Sequence, residues 1–256
     1  CQTMCPLHVD VRAITRLMAD GKVADARKIL DRHMPLSGLL GCLCEGPCMP
    51  HCNRAKLDQP VNMPMLERAC VAASRFVKPM SLPANGKKVL VLGAGLSSLV
   101  AAYELAKKGY SVNIRHIGTR GGRMRSLPSG TLPAGALDES LAMLESMKVA
   151  FEEVGAFSSV QVGEAASEGI AVYVGLDDAE IKAENFGIPH KGGIPVLDPL
   201  TLETGNTLLF AGGLPGGCGQ ETSDSDSNRP TSGRASFIQE AADGRKAAAS
   251  IDRILK

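Results

Sequence analysis

Four cysteines fall within eleven residues, in the run CLCEGPCMPHC from Cys42 to Cys52, and two more open the chain at Cys1 and Cys5 in CQTMCP. Thiolates this close together, offered from turns, suit an iron–sulfur cluster. Consecutive ligands reach neighbouring irons of a cubane, and a Pro just after a ligand Cys bends the chain away from it. Two rival readings are weaker. Disulfides would strain between cysteines one residue apart, and a structural zinc site usually shows two separated C-x2-C pairs. Cys1, Cys5, Cys42, Cys44, Cys48 and Cys52 are therefore the candidate metal ligands.

The rest of the composition excludes more than it suggests. A chain of 256 residues has room for one or two domains with a real core. With 28 basic against 27 acidic residues, and only nine aromatics (none of them Trp), it offers neither the charge nor the stacking surface for nucleic acid. Six of the eight cysteines lie in the first 52 residues, a bunching unlike that of secreted disulfide proteins, which points to a reducing, cytoplasmic setting. The longest apolar stretch, Val89 to Ala106, is broken by Gly93, Gly95, two serines and Glu104, so no membrane span is expected. No signal peptide is visible, and a first residue that is Cys rather than Met suggests that residues upstream were removed or left out.

Periodicity divides the chain into an N-terminal helical unit, residues 1–80, and an α/β unit, residues 81–256. In the first, Val11, Ile14, Leu17 and Met18, then Val23, Ala26, Ile29 and Leu30, have helical spacing; Gly21 separates the two helices and Pro35 ends the second. The cysteine run is expected on a Gly- and Pro-rich loop, followed by a helix from Met65 to about Phe76. In the second unit, a strand at Val89–Leu92, a helix at Leu99–Lys108 and a strand at Val112–Ile114 make a βαβ unit. Residues 137–153 are expected as one amphipathic helix, Ile170–Val174 and Thr207–Phe210 as strands, and Ser236–Leu255 as the closing helix. The segment around Cys218 reads as a long surface loop or partly disordered, and that cysteine is not expected to be a ligand. Cys70, on a helix, reads as a buried apolar thiol.

The stretch VLVLGAGLSSLVAAYELAKKGYSVNI carries most of a dinucleotide fingerprint in its proper strand–turn–helix setting. Gly93 makes the tight turn and Gly95 lets a diphosphate approach the backbone. The helix start beyond them supplies unpaired N–H groups and the positive dipole end. The third glycine position is Ser98, small but imperfect. A Rossmann-like unit that has lost its nucleotide would carry the same pattern.

Together these parts resemble a known family: a cysteine-rich helical start, a linker, a GAG turn and a closing segment FAGG…SFIQEAADGRKAAASI. The chain is similar to the glutamate synthase small subunit, to the N-terminal region of dihydropyrimidine dehydrogenase and to the large subunit of NADH-dependent ferredoxin:NADP oxidoreductase. The resemblance implies a helical Fe–S domain followed by a single Rossmann-like FAD-binding domain. CP before a helix, CEG-x-C and PV-x-I with a Glu or Gln hold two [4Fe–4S] clusters in that family. The counterparts here are Cys5-Pro6, Cys44 to Cys48, and Pro60-Val61-Asn62-Met63 with Glu67. By resemblance Cys5, Cys44, Cys48 and Glu67 ligate one cluster, and Cys1 and Cys52 belong to the other. The family draws two further ligands from cysteines upstream of Cys1. A longer N-terminus, substitution by Cys42 and Cys70, or a single cluster would each reconcile the two.

The resemblance also implies what is missing. The strand AVYVGLDDA resembles the one that closes the FAD half before an inserted NAD(P)H domain, and LLFAGG resembles the strand returning after it, with no second fingerprint between them. Hydride exchange with a nicotinamide is therefore not expected. The FAD half departs from the family pattern too: His116 stands where an acid holds the ribose, and Leu214 where an Asp follows FAGG. Arg115, Arg120, Arg123 and Arg125 could hold the diphosphate, beside Gly121-Gly122 and the Gly212-Gly213 pair. The acidic pair Asp177-Asp178 is expected to face solvent, and no catalytic residue is nominated. The leading expectation is an electron-transfer subunit working with other, catalytic or ferredoxin-like, subunits of a redox complex. The alternative is a scaffold subunit with a vestigial flavin site.

Overall fold

Why the N-terminal helices begin where they do is written in their caps. In the computed structural model, which describes residues 1–74, 79–191, 194–206, 208–214 and 236–256, α1 (Val11–Ala19) starts at Asp10, whose carboxylate accepts the Ala13 N–H at 3.1 Å. Gly21, at φ +72°, separates it from α2 (Val23–His33). A further short helix, α3 (Ser37–Leu43), follows and carries Cys42, so the cysteine run begins on a helix and only then becomes loop. In α4 (Met63–Ala72) Asn62 takes the Met65 N–H at 3.2 Å, with Pro64 in the first turn where its missing N–H costs nothing. Ile14, Leu30, Leu39, Leu40 and Met63 are fully buried.

Residues Cys1–Pro79 form one compact unit together with Leu127–Met143. Periodicity places residues 127–143 in the α/β unit instead. Arg27, buried at 3% exposure, bonds Asp31 at 2.7 Å within α2, Ser37 at 3.0 Å at the start of α3 and Ser74 at 3.2 Å just past α4. One guanidinium thus fastens three elements.

The second unit, Met80–Ser126 with Leu144–Lys256, is a doubly wound α/β layer. Its strands are β1 (Lys88–Leu92), β2 (Ser111–His116), β3 (Ala150–Glu153), β4 (Ala171–Gly175) and, after a hairpin, β7 (Leu209–Gly212). They run parallel in the order β3-β2-β1-β4-β7. Parallel strands need crossovers: α5 (Leu96–Lys107) joins β1 to β2 and α7 (Ser159–Ser167) joins β3 to β4, while α6 (Ala136–Ser146), which follows β2 in the chain, belongs to the first unit as far as Met143. The last helix, α8 (Phe237–Leu255), starts at Ser236, whose hydroxyl accepts the Gln239 N–H at 3.3 Å. Gly244 brings it against α5 so closely that a Cβ there would lie 2.1 Å from the Ser97 carbonyl oxygen. Because β2 and β4 lie on opposite sides of β1, the carboxyl ends of β1 and β4 form the switch point where such sheets take ligands.

Two expectations change here. The amphipathic run 137–153 is not one helix: α6 ends at Ser146, Lys148 takes a left-handed φ of +66°, and Ala150–Glu153 joins the sheet as β3. Between β4 and β7 the described residues hold one 3-10 turn (Ala183–Phe186) and the hairpin of β5 (His190–Lys191) and β6 (Ile194–Pro195). Thr207 and the loop around Cys218 lie outside the described residues.

Candidate functional site

The cysteine segment is shaped by its backbone. Cys44 follows α3 directly, and Gly46 turns the chain at φ +69°, where a Cβ would meet the Met49 sulfur at 2.8 Å and Pro64 Cγ at 3.0 Å. Two 3-10 turns, Met49–His51 and Asn53–Lys56, then carry the chain past Cys52. Cys5, Cys42, Cys44, Cys48 and Cys52 are each less than a tenth exposed, Cys70 is fully buried and Cys1 is exposed. All seven are free thiols.

Electrostatics shows which of them share a neighbourhood. Burial pushes the Cys44 thiol far up, and the charge of Glu67, then that of Cys5, adds to it. Cys5 rises chiefly through burial, opposed by the N–H groups of Val9, Leu7 and His8, and it too feels Glu67. Cys48 rises through burial, then through Cys5 and Glu67. Glu67 itself is pushed up to about 7 by burial, against a hydrogen bond with the Cys44 thiol. Cys5, Cys44, Cys48 and Glu67 therefore lie within electrostatic reach of one another. Cys42 faces Arg68 instead, and Cys70 lies near Arg27 and Asp31.

Cys52 is the exception among the thiols. The N–H groups of Val61, Arg54 and Ala55 point to its sulfur and lower its pKa. Beside it opens a cleft of about 440 Å³ with Cys1, Cys48 and Cys52 in its wall and Arg12 and Arg16 among its lining.

Does this donor set suit a cluster? Glu67 Oε2, buried, finds no hydrogen-bond partner, an arrangement that costs stability unless something else meets it. Three thiols raised by burial beside a raised carboxyl would all favour their charged forms once a cationic centre joined them. Among the described residues no three such groups close on one point as the ligands of a single ion do. A cubane asks for something different, since each ligand takes its own iron. The residues fit the cluster.

The dinucleotide turn follows β1. Gly93 takes φ +94° and Gly95 caps α5. Gly121 donates its N–H to the Ala94 carbonyl at 3.0 Å, and Gly122 rests on the Gly95 backbone. Ser98 faces Gly175 of β4, its hydroxyl buried and without a hydrogen-bond partner. Gly213 borders the turn, whereas Gly212 packs against Tyr173 and Asp243.

The basic residues lie otherwise than expected. Arg115 pairs with Glu152 at 3.0 Å, Arg120 with Glu145 at 2.5 Å, and Arg123 with the buried Glu240 at 2.6 Å while stacking on Phe237. Arg125 donates to the Arg120 carbonyl at 2.9 Å. His116 is buried, its Nδ1 2.9 Å from the Gly118 carbonyl and its ring edge-on to Phe151.

The acidic pair is where the sequence reading fails outright. Asp177 and Asp178 are buried, not solvated. Asp177 accepts the Ser97 N–H at 2.9 Å and the Ser97 hydroxyl, and Asp178 accepts the Ala94 N–H at 3.0 Å. Those donors are the groups a diphosphate would use. As arranged, the turn is filled by the chain's own carboxylates. The one signal in the sequence was the position of the pair, directly after the apolar strand AVYVG.

Comparison with known proteins bears on both sites. Residues 1–77 match the family described as dihydropyrimidine dehydrogenase domain II, 4Fe-4S cluster. The chain is 30% identical over 176 residues to the NADP(+)-dependent formate dehydrogenase subunit beta of Moorella thermoacetica, covering 58% of this chain and 25% of that protein. To the NADPH-Fe(3+) oxidoreductase subunit beta of Geobacter sulfurreducens it is 31% identical over 160 residues, 58% of this chain and 23% of that protein. With the NAD-dependent dihydropyrimidine dehydrogenase subunit PreT of Escherichia coli it shares 28% over 187 residues, 69% of this chain and 45% of that protein. The chain thus spans less than half the length of these relatives.

Proposed function

We propose, from the match of residues 1–77 to the dihydropyrimidine dehydrogenase domain II 4Fe–4S family, that this chain is an electron-transfer subunit of a multi-subunit oxidoreductase. The observation that carries it is the buried group of Cys5, Cys44, Cys48 and Glu67, with one Glu67 oxygen lacking any hydrogen-bond partner. Those four residues would hold one [4Fe–4S] cluster. Cys1 and Cys52 would serve a second, with Cys42 in reserve. When bound, such a cluster supplies reversible one-electron transfer. The chain's own part is to shield it with α1 and α4 and to aim N–H groups at the sulfurs of Cys5 and Cys52, which tunes the potential.

The relatives named above are subunits by their printed names, which supports a partner-dependent role in redox complexes. No helix among the described residues is long and apolar enough to cross a membrane, and a reducing, cytoplasmic setting suits free thiols kept for a cluster. The short hairpin between β4 and β7 supports a chain without its own nicotinamide domain, leaving hydride exchange to a partner. FAD is the dinucleotide that the resemblance implies for the second unit, and Asp177 must leave the turn to admit its diphosphate. The same residue favours a second reading, a docking subunit whose flavin site is vestigial.

Iron and sulfide analysis of the anaerobically purified chain tests the first reading. Roughly four of each per chain is expected for one cluster and about eight for two. A chain that binds only a single zinc ion overturns it.

A further inference from the structure

The end of β4 meets the start of α5 through two carboxylates, Asp177 and Asp178. The Asp177 carboxylate lies so close over the glycine turn that a Cβ on Gly95 would fall 2.5 Å from its Oδ2, and one on Gly213 2.6 Å from its Oδ1. It accepts the Ser97 N–H at 2.9 Å, while Asp178 takes the Ala94 N–H at 3.0 Å. Backbone amides at a helix N-terminus, a positive dipole end and an oxyanion with two acceptor oxygens are the elements of a phosphate site. Here the oxyanion belongs to the protein.

Two anions do not share such a place. A diphosphate entering the turn would meet Asp177 at contact distance inside a buried volume, where like charges repel strongly. The nominated arginines are not placed to offset this, since Arg115 pairs with Glu152 and Arg123 with Glu240. The glycines themselves remain suited to a diphosphate: Gly93 at φ +94°, with Gly95 and Gly213 lacking the side chains that would crowd the space Asp177 now fills.

We propose that Asp177 is an internal competitor for the diphosphate of a dinucleotide, so that ligand binds only when this carboxylate leaves the N-terminus of α5. The proposal rests on reading the turn as a flavin site, as above. Asp177 then sets the occupancy of the second unit independently of the clusters in the first. Loss of the carboxylate frees the Ser97 donors, and Asn in its place keeps the contact but removes the charge.

The test uses the whole chain with its clusters loaded, stripped of any nucleotide, in equilibrium dialysis against FAD and, separately, NAD+. Asp177→Ala is expected to bind FAD about tenfold or more tightly than the wild type, with Asp177→Asn between them. Tighter binding of NAD+ alone would support the competitor and overturn the flavin reading. Equal or weaker binding of both ligands by Asp177→Ala and Asp177→Asn, with the melting temperature of at least one variant preserved, overturns the proposal.

Discussion

The Cys44 thiol donates a hydrogen bond to the Glu67 carboxyl in the interior of the first unit; burial raises the proton affinity of both, and the bond raises that of the thiol further while lowering that of the carboxyl. Neither group gains from this as a free side chain: both are buried, and Glu67 Oε2 is left without a partner. The pair makes sense as two donors to one cationic centre. Glu67→Ala should therefore lower iron and sulfide per chain by roughly half or more while the second unit stays folded. Metal analysis and electron paramagnetic resonance of the reduced protein check it. An unchanged signal at full iron content would show that Glu67 is no ligand.

Arg27 allows a second prediction, about the frame around those ligands. Its guanidinium joins Asp31, Ser37 and Ser74, so removing it takes one hydrogen bond from each, leaving Ser37 donating to Asp31 at 2.5 Å and Ser74 to the Cys70 carbonyl at 2.5 Å. Arg27→Ala should cost about 2–3 kcal/mol, the range for a charged hydrogen-bond donor lost from a network whose carboxylate, Asp31, is 28% exposed. Urea denaturation of the loaded chain, followed by the cluster absorbance and by circular dichroism, measures it. A loss under about 1 kcal/mol would mean that the network is no stronger than a surface pair.

How much of this was legible in the sequence follows from which forces are local. The apolar run into Gly93-Ala94-Gly95 specifies β1 and its turn within a few residues, so the βαβ unit could be read directly. The helical spacing of Leu141, Leu144, Met147 and Phe151 was misleading. It continues smoothly through a break that only the positive φ of Lys148 reveals, a conformation that Lys does not announce. The helix α3 under Cys42 was missed because the cysteine run is expected on a Gly- and Pro-rich loop, although Leu39, Leu40 and Leu43 bury the segment. The thiol chemistry was plain from spacing, while the company of Glu67 came only through resemblance. Asp177 was misplaced for a topological reason: its environment depends on β4 lying beside β1, and sequence order does not state that.

The contact between α5 and α8 yields a third prediction. A Cβ on Gly244 would sit 2.1 Å from the Ser97 carbonyl oxygen, and a backbone atom cannot rotate away as a side chain can. Alanine would favour the helix intrinsically by about 1 kcal/mol, yet the clash should win. Gly244→Ala is expected to destabilise the chain by about 2–3 kcal/mol net. Because Ser97 also binds Asp177, the displaced helix should loosen the turn. Thermal unfolding gives the first effect, and hydrogen exchange at the start of α5 gives the second. Stability equal to or above wild type would contradict the helix contact.

The protonation of Asp177 makes the stability of the second unit depend on pH with a definite sign. Burial raises its carboxyl to about 6, against the opposing hydrogen bonds from Ser97, while the unfolded chain titrates near the ordinary value of 3.8. Between these values the folded state holds the proton more tightly, so stability falls as pH rises from about 4 to about 6 and is then flat for this group. Neighbouring Asp178 adds to the effect, since its charge also favours the protonated form. Asp177→Asn cannot ionise and should lack this fall. The variant's advantage over wild type should grow across the window by as much as about 3 kcal/mol and hold constant above it. Urea unfolding free energies at half-unit steps from pH 4 to pH 7 decide it: parallel curves for the two proteins would place Asp177 in water after all.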